Sequence, residues 1–129
     1  MWSRPSFVGE GDTVYFEGAN LSFVPIGEAQ GEGPFLIARV IDERSCPTLG
    51  AGVCRLRRCR LDWTVRYDEV IYVVEGRLTI HHAGSKRVGR PGDLFLLRRG
   101  ASVSYEAEEG EATFFYALYP VNWRAGEGS

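Results

Sequence analysis

Apolar residues in this chain recur at every second position, and no stretch carries them at helical spacing. "PFLIARVID" (34–42), "DEVIYVVEG" (68–76) and "SVSYEA" (102–107) alternate or run apolar and β-branched, bounded by Gly, Pro and acidic turns. A period of two puts one face of a strand in a core, and helices need 3.6. Further strands are expected in "VYFEGANLSFVPI" (14–26), as two short strands around a Gly-Ala-Asn turn, and in "GVCRLRRCRLDW" (52–63), where alternation is imperfect. "RLTIHHAGSKRVG" (77–89) reads as a hairpin turning at Ala-Gly-Ser-Lys, and "LFLLR" (94–98) as a short buried strand between the "PGD" turn (91–93) and Gly100. "EEGE" (108–111) reads as a turn before the aromatic strand "ATFFYALYPV" (112–121), and residues 124–129 as a frayed tail. The pattern predicts an all-β sandwich or barrel.

At 129 residues the chain is one domain, large enough for a core without metal or disulfide staples. The formal net charge of −2 argues against a nucleic-acid partner, and no apolar run reaches the roughly 20 residues that span a bilayer. Cys46, Cys54 and Cys59 are odd in number and form no CxxC pair. With no signal-like segment at the start, they read as reduced thiols of a cytoplasmic protein.

Two segments resemble the motifs of the cupin superfamily, G-x5-H-x-H-x3,4-E-x6-G and G-x5-P-x-G-x2-H-x3-N. Glu69 and Gly76 hold the Glu-x6-Gly spacing, and fifteen residues separate Gly76 from Gly92. Gly92 and Gly100 keep their places, whereas Arg98, Val103 and Ala107 stand where that family has Pro, His and Asn. Counting back from Glu69, the two metal histidines would fall on Trp63 and Val65 or on Asp62 and Thr64, and neither pair contains an imidazole. A transition metal wants three or four converging N, O or S donors, so no metal is expected. Were one present, Glu69 and His82 would be its first ligands to test. The resemblance implies an RmlC-like jelly-roll, a double-stranded β-helix barrel.

A narrower likeness joins "GAG" (50–52), "WTVRYDE" (63–69), "VVEGRLTIHHAG" (73–84), "PGDLFLLRRGASV" (91–103) and "FFYALYPVNW" (114–123). Over about 45–123 the chain resembles the cupin domain of the ethanolamine-utilisation EutQ family. That resemblance implies a homodimer, a role in ethanolamine catabolism beside a bacterial microcompartment, and the acetate kinase activity ascribed to the family. The segment that precedes the cupin in full-length members, tied to microcompartment association, is not expected in this chain.

In such a barrel Glu69 points inward with Ile71 and Val73, and Val103 and Tyr105 share a face. Trp63, Tyr67, Tyr105 and Tyr116 are the aromatic candidates for a ligand pocket around Glu69, with Arg58 or Arg66 as the cation. A carboxylate in an apolar wall is either desolvated or paired, which makes it a candidate site and equally a candidate structural acid. Asp68, on the opposite parity, is expected to face a loop or partner. His81 and His82 are neighbours on one strand and cannot both face one ligand. Alternation divides the arginines of "RLRRCR" (55–60) into Arg55 and Arg57 against Arg58 and Arg60, a solvated sheet face or dimer rim on one reading and an anion clamp on the other.

Three functions compete on this basis. One is an accessory protein binding a small polar or carboxylate metabolite, without cofactor. Another is an enzyme on a small carboxylate, with Glu69, Tyr67 and Tyr105 as the acting groups, although no phosphate-cradling G-x-x-x-x-G-K-[ST] loop is present. The third is a metal-dependent isomerase or dioxygenase.

Overall fold

The computed structural model describes residues 12–126. Nine strands follow in chain order: β1 (Val24–Pro25), β2 (Gln30–Gly31), β3 (Phe35–Ile41), β4 (Gly50–Thr64), β5 (Asp68–Gly76), β6 (Leu78–His82), β7 (Ser85–Gly89), β8 (Leu94–Leu97) and β9 (Ser102–Tyr119). Short 3-10 turns occupy Gly18–Asn20 and Trp123–Gly126. Every pairing is antiparallel.

β4 and β9 are the long strands of the barrel, paired from Gly50↔Leu118 to Thr64↔Ser102. On its free edge β9 pairs β5 with its C-terminal half and β6 with its N-terminal half. The register breaks once along the β4–β9 ladder, between Arg57↔Glu111 and Cys59↔Ala107. Arg58 (φ 46°) and Gly110 (φ 69°) adopt left-handed backbone there. The extra residues invert the parity of both strands, as a bulge must. Cys54 and Leu56 face inward before it and Cys59 and Leu61 after it. On β9, inward Val103, Tyr105 and Ala107 give way to Ala112, Phe114 and Tyr116.

That bulge corrects two expectations. Residues 108–111 are not a turn between strands but an irregularity within one continuous strand. Arg55, Arg57, Arg58 and Arg60 do not divide between two faces, because all four are exposed. Arg55 lies over the Phe23 ring, Arg58 reaches Glu32, and Arg60 reaches Asp62.

Other departures have equally local causes. Residues 14–17 form no strand, and the Gly-Ala-Asn segment coils into a 3-10 turn instead. The β6–β7 turn is tighter than four residues: His82 pairs Ser85 directly, with Ala83 (φ 52°) and Gly84 (φ 83°) both left-handed, the geometry of a two-residue I′ hairpin. β8 is an edge strand, and Leu94 and Leu96 on it are 65% and 57% exposed rather than buried. Residues 124–126 belong to the closing 3-10 turn rather than to a frayed tail, and the rest of that tail lies outside the described residues.

Phe35, Leu56, Ile71, Val73, Leu78 and Phe114 are almost fully buried and form the core with the aromatic rings of the inner wall. Tyr105 and Phe114 stack in parallel at 6.0 Å, and Phe35 meets each edge-on. Gly76 closes β5 at φ 74°, where a methyl group would overlap the Glu111 carbonyl, so glycine is required there on steric as well as torsional grounds.

Candidate functional site

One mouth of the barrel opens into a cavity of about 730 Å³. Its inner wall follows from the parity of four strands. β5 turns Glu69 inward beside Ile71 and Val73, as alternation requires. β9 contributes Tyr105 from one side of its bulge and Tyr116 from the other, β4 contributes Cys54, and β3 contributes Phe35, Ile37 and Arg39 from its inner face.

Glu69 is only 4% exposed. The Tyr105 hydroxyl donates to its Oε1 at 2.8 Å. Burial pushes the Glu69 carboxyl up from its ordinary 4.5 to about 7, and the bond from Tyr105 draws it only part of the way back. Burial and the Glu69 charge together raise the Tyr105 hydroxyl well above its ordinary value. Tyr67 and Tyr116 are raised as well, chiefly by burial. Burial likewise raises the Cys54 thiol, so it carries no thiolate nucleophile at neutral pH.

A second polar contact braces the rim. The Trp63 indole N–H donates to the Tyr67 hydroxyl at 3.0 Å. Trp123, from the closing turn, packs edge-on against Trp63 at 6.1 Å and tilted against Tyr67 at 5.2 Å. Gly52 leaves space for the phenol of Tyr116, whose oxygen would lie 2.8 Å from an added Cβ.

The structure therefore gathers Glu69, Tyr67, Tyr105, Tyr116 and Trp63 around one cavity. It does not bring Arg58 or Arg66 to it. Arg58 is placed outside by the bulge and pairs with Glu32 at 3.5 Å. Arg66 lines a separate outer cleft bounded by β4, β9 and the β6–β7 hairpin. The guanidiniums of the cavity belong to Arg39, Arg44 and Arg124. Inward parity with Phe35 and Ile37 could have found Arg39, whereas Arg44 and Arg124 reach the mouth from loops that carry no periodic signal.

His82 also lines the outer cleft, where its Nδ1 meets the Ser102 carbonyl at 3.0 Å, so it is not a co-ligand of Glu69. Val65 and Val103 are buried apolar side chains at two of the positions where cupins carry metal histidines. The groups around Glu69, phenols and one buried thiol, do not fit a transition metal. Among the described residues, potential metal-binding atoms do converge at His81, Glu106 and Glu108, on the outer face. His81 Nε2 there already meets Glu106 at 2.7 Å, and Lys86 holds Glu108 at 3.0 Å. Asp68 faces the 98–101 turn, accepting the Arg99 N–H at 3.0 Å.

An antiparallel double-stranded β-helix with its inward Glu and turn glycines defines a cupin, and the fold is that of the RmlC-like cupins. Residues 35–125 match the family model described as ethanolamine utilisation protein EutQ. The chain belongs to that family. A crystal structure of ethanolamine utilization protein Q from Salmonella typhimurium LT2 superposes with a TM-score of 0.81 at 24% identity, covering 93% of this chain and 98% of that one. The curated relative from Salmonella typhimurium, named acetate kinase EutQ, is 26% identical over 127 residues, 95% of this chain and 54% of that protein. A relative of the same name from Clostridioides difficile is 34% identical over 77 residues, 60% of this chain and 48% of that protein. The chain thus spans about half the length of the curated relatives it matches. No helix among the described residues is long and apolar enough to cross a membrane.

Proposed function

We propose that this EutQ-family cupin binds a small polar metabolite in its barrel and serves ethanolamine catabolism as a cytoplasmic accessory protein. The observation that carries this reading is the buried Glu69–Tyr105 pair at the wall of an open cavity. A polar pair set in an otherwise aromatic concavity is the usual form of a small-molecule site. In this reading Glu69 and Tyr105 fix the ligand's polar end, while Tyr67, Tyr116 and Trp63 form its walls. Thermal unfolding in the presence of ethanolamine, acetate and phosphorylated two-carbon compounds tests it. A ligand at a hundred times its Kd adds about 2.7 kcal/mol to stability, a shift of several degrees. A flat response to every compound contradicts the reading.

A second reading follows from the name of the curated relatives. In it the same cavity holds acetate for phosphoryl transfer from ATP, with Glu69, Tyr67 and Tyr105 as the acting groups. Assay of acetyl phosphate formed from ATP, acetate and Mg²⁺ decides between them, and activity that survives Glu69→Gln removes Glu69 from the catalytic role.

The same reading includes a homodimer. Val70 and Tyr72 of β5, Leu94 and Leu96 of β8 and Phe115 of β9 are exposed. They are joined through the pairs Val70↔Leu96, Tyr72↔Leu94 and Tyr72↔Phe115. A contiguous apolar sheet face of this kind favours association with a second copy.

A further inference from the structure

We propose that the barrel cavity selects a small organic ammonium ion, with the Glu69 carboxylate as its counter-charge and the surrounding aromatic rings as its wall. This rests on the metabolite-binding reading and narrows it to one chemical class.

The first support is the second oxygen of Glu69. Tyr105 occupies Oε1. Among the described residues no fully buried side-chain oxygen or nitrogen lacks a partner, and Glu69 lines the cavity. Its Oε2 therefore meets the cavity rather than sealed protein. An ionised carboxylate only accepts hydrogen bonds, and an ammonium group only donates them.

Nor is Glu69 paired with a positive charge. No ion pair among the described residues includes it. Two of the cavity's guanidiniums are engaged, Arg44 with Asp42 at 2.8 Å and Arg124 at 4.5 Å over the Trp123 ring, while the charge of Arg39 reaches the same Cys54 and Tyr116 that feel Glu69 without an ion pair to Glu69 itself. The titratable groups acting on Glu69's surroundings from the packed strands are phenols and a thiol, Tyr67, Tyr105, Tyr116 and Cys54, all held neutral.

Third, the wall and rim favour a cation. Aromatic rings attract positive charge at their faces, and Tyr67, Tyr105, Tyr116, Phe35 and Phe114 are among the rings that line the cavity. Among the described lining residues Glu28, Asp42, Glu43 and Asp62 join Glu69. Arg44 holds Asp42 and Arg60 holds Asp62, which leaves Glu28, Glu43 and Glu69 against Arg39 and Arg124. An anionic ligand at Glu69 would set two like charges together in a desolvated wall, unless one took up a proton. An ammonium ion neutralises the wall instead.

Calorimetric titration at pH 8 of three probes of similar size separates these cases: ethanolamine, ethylene glycol and glycolate. The expected result is ethanolamine binding at least tenfold tighter than the other two, with that advantage lost in Glu69→Gln. Equal or tighter binding of glycolate or ethylene glycol overturns the ammonium assignment and leaves metabolite binding standing. Failure of all three to bind overturns the ammonium assignment, and metabolite binding falls with it when acetate and the phosphorylated two-carbon compounds also leave thermal unfolding unchanged. Ethanolamine binding of undiminished strength in a folded Glu69→Gln chain overturns the role of Glu69, and the comparison on the wild-type chain needs no variant.

Discussion

Tyr105 and Glu69 lie 36 positions apart in sequence and share a 2.8 Å hydrogen bond inside the barrel. Among the described residues Glu69 has no cation beside it. The folded protein therefore holds a carboxyl that prefers its proton up to about pH 7.

This preference makes stability fall with rising pH. The folded state binds the proton more tightly than the unfolded chain does, so the contribution of Glu69 is complete below about 4.5 and is lost as pH rises through about 7. The displacement corresponds to a penalty on the order of 3 kcal/mol for keeping the carboxylate at pH 8. Glu69→Gln keeps an acceptor for Tyr105 and removes the charge. We expect it to melt up to about 10 °C higher than wild type at pH 8 and to match it near pH 4, both without ligand. Equal melting temperatures at pH 8 would contradict the placement of Glu69 in a desolvated wall.

Tyr105→Phe tests the hydrogen bond itself. Losing a donor to a buried carboxylate costs about 1.5–3 kcal/mol, expected above pH 7, with a smaller loss at pH 4 when Glu69 is protonated. Urea unfolding at the two pH values measures the difference.

The glycines of the barrel are not equivalent, although the sequence motif presents them alike. Gly100 has φ 96° with no atom within 4 Å of an added Cβ, whereas at Gly76 that Cβ overlaps the Glu111 carbonyl. Gly100→Ala should cost about 1–2 kcal/mol, the torsional term alone. Gly76→Ala should cost more than about 4 kcal/mol and give little soluble protein. Denaturant melts of the two variants check the order.

These cases mark what the residues reveal in one dimension. β5 is legible as a strand, because Asp68–Gly76 is apolar and β-branched and ends at a glycine, and its inward and outward residues alternate as far as Val73. That Glu69 and Tyr105 face one cavity is legible because the cupin spacing and strand parity fix their directions. The bulge at Arg58 is not legible, since an inserted residue looks like imperfect alternation until the partner strand is known. From that one ambiguity came the misplaced Arg58, the divided arginines and the supposed turn at residues 108–111. The burial assigned to 94–98 holds for Leu97 and in part for Phe95 but not for Leu94 and Leu96, which take the outward parity of the same strand, and hydrophobicity alone does not distinguish a core from an interface.

For that exposed face we expect light scattering to give a dimer mass for the wild-type chain. Tyr72→Lys combined with Leu96→Lys should yield a monomer that still unfolds cooperatively. An unchanged mass in the double variant would move the interface elsewhere.

The most direct test of the central claim is the carbon-13 resonance of the Glu69 side-chain carboxyl, followed from pH 4 to pH 10 with and without ethanolamine. A cavity carboxyl that receives the ligand should titrate near 7 in the free protein and at a lower pH when ethanolamine is bound. A midpoint near 4.5 that ethanolamine leaves unmoved would contradict both the burial of Glu69 and its role in binding.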